Sequence, residues 1–268
     1  MALSFSFMYN STVMKLLIMR HGETFWNMEG RLQGQTDIPL NEEGRKMAVS
    51  CGKGMKEIPV DLCISSSLSR ATETAELVLK ENREYGLRAA RTVEQLRREA
   101  AAEKPGTHPS SVRLVYTETA KGRLPYITDD RLKEASFGSW EGLICKAEGY
   151  SVPLADFSTY WNDPDNPKIP PDVERLTHVV QRFEAALADI VSRKSLQDKT
   201  VLLVVHGCVM RAVMYIMSGR KEFRGKVPFN CEVITAEPEP DGGLREISRE
   251  IWYDRSMIHD YYATMKQE

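Results

Sequence analysis

Cysteine is sparse and unpatterned: the 268 residues hold five (Cys51, Cys63, Cys145, Cys208, Cys231), an odd number with no CxxC pair. That excludes a disulfide framework or a Cys-based zinc site as the organising device and suits a reducing, cytoplasmic setting. Charge of one sign is missing too. The 36 basic and 38 acidic side chains leave a formal net charge of -2, so the surface lacks the basic excess of a nucleic-acid or polybasic membrane binder. No apolar run approaches the roughly 18 residues of a membrane span. The opening MALSFSFMYNSTVMK has no Lys or Arg ahead of its short apolar stretch, unlike a secretory leader. HExxH, GxxxxGK[ST] and GxGxxG are also absent, which removes the common zinc-hydrolase, P-loop and dinucleotide readings. Any anion site must be local.

What is present is enough apolar sequence, 42%, for one substantial core, so one elaborated α/β domain over 1–268 is expected. Residues 1–13 read as a flexible extension ahead of the first strand. KLLIMR (15–20) is a short apolar run ending on a charge before Gly and polar residues, the pattern of a buried strand feeding a functional loop. Asn41 before Glu42 and Glu43 predicts an N-cap and an acidic first turn for a helix to about 54. DLCIS (61–65) predicts a second strand, with Ser67 capping a helix to about 81. Asp172 is the expected cap of a helix carrying Val173, Leu176, Val179, Val180, Phe183, Leu187, Ile190 and Val191 on one stripe. TVLLVVHG (200–207) predicts a strand buried on both faces, followed by a helix over 208–217 and closing strands at 231–237 and 243–250. This alternation predicts a three-layer sandwich: a mostly parallel central sheet with helices on both faces and its ligand beyond the carboxyl ends of the strands. Residues 83–123 break the rhythm. With only Val93, Leu96 and Ala100 as an apolar stripe, the segment reads as a surface helical insertion whose removal leaves the fold intact.

Arg20 and His21 sit at the end of the first predicted strand and His206 at the end of another, so they converge on one site. Taken singly, each has a plain structural reading: a hydrogen-bonded histidine, or, for Arg70, a solvated residue at a helix start. Their context is more specific. RHGETFWN (20–27) resembles the signature of the histidine phosphatase superfamily, and the resemblance continues in order through GRLQGQTDIPLNEEG (30–44), SSSLSRATETAE (65–76), DDRLKEASFGSWEG (129–142) and VVHGCVMRA (204–212). It implies a phosphoglycerate mutase-like fold. It also implies that His21 is a nucleophile carrying the phosphoryl group, that Arg20, Arg70 and His206 form the phosphate pocket and that Glu134 is the proton donor. Asn27, Gln33 and the Gly207 backbone N–H would be accessory substrate contacts.

Elementary chemistry agrees. A phosphate monoester is a dianion that hydrolyses extremely slowly unaided, so a site must neutralise its oxygens and align nucleophile and leaving group. Arginine stays charged and forks onto phosphate oxygens. Two arginines beside His21 favour its neutral, nucleophilic form and would repel a metal cation. A bound dianion in turn favours Glu134 in its protonated form. A small phosphorylated metabolite is thus the expected partner. No metal, other cofactor, nucleic acid or membrane is expected, and the oligomeric state, monomer or homodimer, stays open.

Two alternatives stay open as well. The resemblance extends to mutases, which return the phosphoryl group to a sugar acid; Lys146 in LICKAE loosely echoes one of their segments. No paired-arginine block follows Trp140, however, and Cys208 stands where mutases carry Asn, which favours hydrolysis. A protein that binds phosphorylated ligands without turnover is the other alternative, weakened by the presence of every expected catalytic residue type. Tyr150, Phe157, Tyr160 and Trp161 either wall a substrate or pack a helix on the sheet, with packing favoured.

Overall fold

A computed structural model describes residues 13–102, 112–120, 122–146, 149–154, 157–164, 166–223 and 226–258. Apart from Val13, the extension expected at 1–13 lies outside the described residues. β1 (Lys15–Arg20) is buried along its whole length, and its apolar side chains alternate between two cores. Leu16 and Ile18 join one cluster, Leu17 and Met19 the other. β5 (Thr200–Val205) does the same, with Val201, Leu203 and Val205 on one face and Leu202 and Val204 on the other. A strand with period-2 side chains and no polar face must be covered on both sides. Each fully buried Leu, Ile or Val contributes roughly 1.5–3 kcal/mol of transfer free energy.

The remaining strands are β2 (Leu62–Ser65), β3 (Val112–Thr119), β4 (Gly122–Asp129), β6 (Val233–Pro238) and β7 (Leu244–Glu250). They form one seven-stranded sheet in the order β3-β4-β2-β5-β1-β6-β7. The four central strands, β4, β2, β5 and β1, run parallel. β3, β6 and β7 add antiparallel edges. Helices α2 (Glu42–Gly54) and α3 (Ser69–Glu81) cover one face through Met47, Cys51, Ala71 and Val78. Helices α6 (Leu176–Ser192) and α7 (Gly207–Met217) cover the other through Val179, Phe183, Val209 and Val213. The short helices α1 (Phe25–Glu29) and α5 (Thr159–Asn162) and the longer α4 (Tyr85–Ala101) complete the described set.

Two expected caps are corrected. Asn41 does cap α2, its side chain accepting from Gly44 N at 2.7 Å. Ser67 does not cap α3: its hydroxyl donates to Asp130, and the Ser69 N–H at the helix start is instead accepted by Asp37 Oδ1 at 2.8 Å. Asp172 does not cap α6 either. It accepts from Ser139 N at 2.7 Å, and the helix begins at Leu176 after an extended Arg175 with no side-chain cap.

The expectation of a dispensable insertion over 83–123 is also corrected. α4 crosses the sheet edge, placing Tyr85 and Ala89 in one core cluster and Val93 in the other, and β3 pairs with β4 along eight residues from Val112↔Asp129 to Thr119↔Gly122. The fully buried Tyr85 hydroxyl accepts from Cys63 N at 3.1 Å and donates to Pro125 O at 2.6 Å, tying β2 to β4. Removing 86–120 would therefore strip core and sheet together. Tyr85→Phe, which leaves both backbone groups without that partner, is expected to cost about 1–3 kcal/mol. A urea titration should show it as a lower midpoint with an unchanged slope.

Candidate active site

Each of the four parallel strands delivers a candidate at its carboxyl end. Arg20 closes β1 and pairs in register with Val205, the last residue of β5. The next residues, His21 and His206, are therefore neighbours, with ring centroids 5.0 Å apart. The His21 N–H continues the ladder to Val205 O at 3.0 Å. β2 ends at Ser65 and leads into α3, which carries Arg70 in its first turn. β4 ends at Asp129 and passes through a 3-10 turn (Asp130–Leu132) to Glu134. His21, Arg20, Arg70, His206 and Glu134 are all buried.

The backbone sets the tautomer of His21. His21 Nδ1 lies 2.6 Å from Gly22 O; a carbonyl only accepts, so Nδ1 carries the proton and Nε2 keeps its lone pair. Burial first, then the charges of Arg70 and Arg20, hold the His21 imidazole well below its ordinary range. Its leading cause is therefore desolvation rather than the arginines alone. His206 is lowered for the same reasons, burial again leading. Burial also pulls Arg70 down to about 10, which leaves it a cation at neutral pH.

The arginines are braced yet keep donors in hand. Arg20 Nη1 donates to Pro228 O at 2.9 Å, and Arg70 donates through Nη1 to Thr36 O at 3.1 Å and through Nη2 to Gly34 O at 2.7 Å. Arg20 Nε, Arg70 Nε and both His206 ring nitrogens are buried and have no hydrogen-bond partner among the described residues. Such groups cost about 1–3 kcal/mol apiece when left unpaired, so their convergence around His21 marks a place shaped for an anion rather than for packing.

Glu134 lies against the start of α7. Its carboxylate accepts from Cys208 N at 2.9 Å and Ala135 N at 2.9 Å. Gly207 opens α7 against it: a Cβ there would come within 3.3 Å of Glu134 Oε2.

The accessory candidates form a connected strip. Asn27 Oδ1 accepts from Thr24 N at 3.1 Å in a capping box that starts α1, and Gln33 Oε1 accepts from Thr24 Oγ1 at 3.0 Å. Asn230, which no sequence signal singled out, donates to His21 O at 2.8 Å and reaches Asn27 Oδ1 at 3.4 Å. Thr74, also missed, accepts from Gly22 N at 2.9 Å and donates to Arg70 O at 2.6 Å, linking the loop after His21 to the Arg70 helix. The spacing Arg70 to Thr74 is one helical turn, which is the only trace it leaves in the sequence. Close approach of α2 needs glycine at 44, where a Cβ would fall 2.1 Å from Glu23 O.

The aromatic segment is mainly packing. Phe157 and Tyr160 are buried, their rings stacked with centroids 5.6 Å apart, and Phe137 meets Tyr160 edge-on at 5.4 Å. Trp161 lies under the Arg211 guanidinium, 3.7 Å from its ring centroid, and half-buried Tyr150 packs against the same core. Among the described residues no three His, Cys, Asp or Glu side chains group as a metal site, and no helix is long and apolar enough to cross a membrane.

Known proteins resemble this chain in two enzymatic directions. A 2,3-bisphosphoglycerate-dependent phosphoglycerate mutase 2 of Arabidopsis thaliana is 30% identical over 205 residues, which span 75% of this chain but 57% of that protein. An uncharacterized phosphatase, PhoE, of Bacillus subtilis is 29% identical over 202 residues, 75% of this chain and 76% of that one. The solved structure of YhfR from Bacillus stearothermophilus superposes with a TM-score of 0.59 at 27% identity, covering 87% of this chain and 94% of that one. The sequence profile of the histidine phosphatase superfamily (branch 1) matches residues 16–97 and 112–245, leaving aside 98–111, and the chain belongs to that superfamily.

Proposed function

We propose that this protein is a phosphomonoester hydrolase working through a phosphohistidine on a small phosphorylated metabolite. The observation that carries the reading is the ring of buried donors on Arg20, Arg70 and His206 with no protein partner, set around a histidine whose Nε2 is free to attack. A phosphoryl dianion supplies what those donors lack, with the Gly207 N–H as a further donor and Asn27 and Gln33 as accessory contacts. His21 Nε2 attacks phosphorus and the bond to the leaving oxygen breaks, while the Glu134 carboxyl passes its proton to that oxygen. The resulting Glu134 carboxylate then takes a proton from water as that water's oxygen attacks phosphorus and the N–P bond breaks, its electron pair returning to His21 Nε2, which frees phosphate and restores both residues.

Hydrolysis is favoured over return of the phosphoryl group to a sugar acid by the 208 position. The Cys208 side chain is buried, and burial first, then the adjacent Glu134 carboxylate, push its thiol up, so a neutral thiol engaged with Glu134 stands where an amide arm would otherwise be offered. Incubation with a panel of sugar phosphates, nucleotides, phosphoserine and phosphoglycerates is expected to release inorganic phosphate from a preferred substrate. The corresponding kcat/KM should reach about 10⁴ M⁻¹s⁻¹ or more. Interconversion of 2- and 3-phosphoglycerate at such a rate, without phosphate release, would establish a mutase instead.

A further inference from the structure

The loop that carries Glu134 has no regular structure of its own between the 3-10 turns Asp130–Leu132 and Gly138–Trp140, yet it must hold a carboxyl to within a fraction of an ångström. One side chain from outside the loop grips it repeatedly. Arg182, in α6, donates through Nη1 to Arg131 O at 2.7 Å and through Nη2 to Glu134 O at 3.0 Å. The same guanidinium forks onto Glu174, Nε to Oε1 at 2.8 Å and Nη2 to Oε2 at 3.2 Å. Glu174 extends the grip: its Oε2 accepts from Ser136 N at 3.0 Å and its own N–H donates to Ser136 O at 2.7 Å. Both side chains are largely buried, at 19% and 17% exposure, so solvent screens the pair only weakly. Three backbone groups, Arg131 O, Glu134 O and Ser136 N, are thus tied to one ion pair whose arginine is mounted on a 17-residue helix and whose glutamate lies two residues before that helix begins, with the Glu174 N–H holding Ser136 O beside them.

We propose that Arg182, oriented by Glu174, is a positioning residue for the proton donor: it fixes the main chain at 131 and 134 and so sets where the Glu134 carboxyl meets the leaving oxygen. The inference rests on the phosphohistidine hydrolase reading. Arg182 makes four hydrogen bonds from three nitrogens in a fixed plane, whereas a lysine ammonium has three N–H donors on one atom and no fork, so lysine is not an equivalent. A displacement of about 1 Å at a reacting group costs on the order of 10² in rate.

The test compares Arg182→Lys and Glu174→Gln, each alone and combined with Glu134→Gln, on p-nitrophenyl phosphate and on glycerol 2-phosphate. Thermal unfolding would verify that each variant folds; if Arg182→Lys does not, Glu174→Gln carries the same comparison. Arg182→Lys is expected to lower kcat on the alkyl phosphate by about 10- to 100-fold and to leave the p-nitrophenyl ester within about threefold, since that leaving group needs little protonation. Once Glu134 is glutamine the substitution should add nothing selective, because the residue it positions is gone. Equal losses on both substrates, or a selective loss that persists in the Glu134→Gln background, would overturn the positioning role while leaving the hydrolase reading in place. If Glu134→Gln itself shows no leaving-group dependence, the acid assignment fails and this inference fails with it.

Discussion

His21→Ala is expected to abolish turnover, by on the order of 10⁶ where a covalent nucleophile is lost, and with it the acid-labile phosphoryl label that a brief reaction and alkaline quench would leave on the wild-type chain. The reason lies in the local geometry. Gly22 O fixes the Nδ1 proton, and burial first, then the charges of Arg70 and Arg20, keep the imidazole neutral. No other residue in the pocket offers an unprotonated nitrogen at that place except His206, whose two ring nitrogens sit among the same charges. Retained label in the alanine variant would move the nucleophile there; near wild-type turnover would overturn the mechanism altogether.

The same electrostatics set the pH dependence. With the folded-state value of His21 below its ordinary one near 6.5, the acid limb of kcat/KM, which reports the free enzyme, should fall below that pH. Stability follows the depressed-group rule. As pH drops through about 6.5 the unfolded chain takes up protons at these two histidines that the native state refuses until lower pH, so their contribution is full above 6.5 and is lost progressively beneath it.

How much of this was legible beforehand depends on where each residue finds its partners. β1 and β5 are continuous apolar runs, and α6 carries its stripe at the helical period, so local pattern was enough for them. The candidate residues could be picked out because Arg20, His21 and His206 sit at strand ends, Arg70 sits in the first turn of the helix that follows β2, and Glu134 lies shortly after β4, all within an ordered set of motifs. The 83–123 segment was not, because its stabilising contacts are tertiary. Tyr85 counts as one aromatic in a charged helix until its hydroxyl is seen between Cys63 and Pro125, 22 and 40 residues away. β4 contains Pro125, ordinarily a mark against a strand; it is accommodated because β2 pairs with β4 only at Ile127 and Thr128. The Asp37 cap of α3, Asn230 and the Arg182–Glu174 grip share this character: each acts across the fold on a backbone group, and a backbone group has no sequence signature.

Arg70→Ala should be the most damaging change outside the nucleophile, and its pattern should differ from that of Glu134→Gln. Arg70 combines two tasks. Its Nη groups tie down Gly34 O and Thr36 O, while its buried Nε has no protein partner among the described residues and, in the proposed mechanism, donates to the phosphoryl group alongside the delocalised charge. Loss of one preorganised donor to developing charge typically costs about 10² to 10³ in rate, and here the loop carbonyls lose their partner as well. Every phosphate monoester presents the same phosphoryl oxygens, so p-nitrophenyl and alkyl phosphates should suffer alike. In the proposed mechanism Glu134 acts on the leaving oxygen only. A positioned acid contributes on the order of 10² to 10⁴, and nearly all of it is needed for an alkoxide, little for p-nitrophenolate, which departs as a stable anion. Glu134→Gln keeps the shape, and its amide can still accept from Cys208 N at the 2.9 Å contact, so a loss confined to alkyl phosphates isolates the proton. Parallel rate measurements on the two esters decide the matter: a selective loss in Arg70→Ala, or a uniform one in Glu134→Gln, would reverse the roles assigned here.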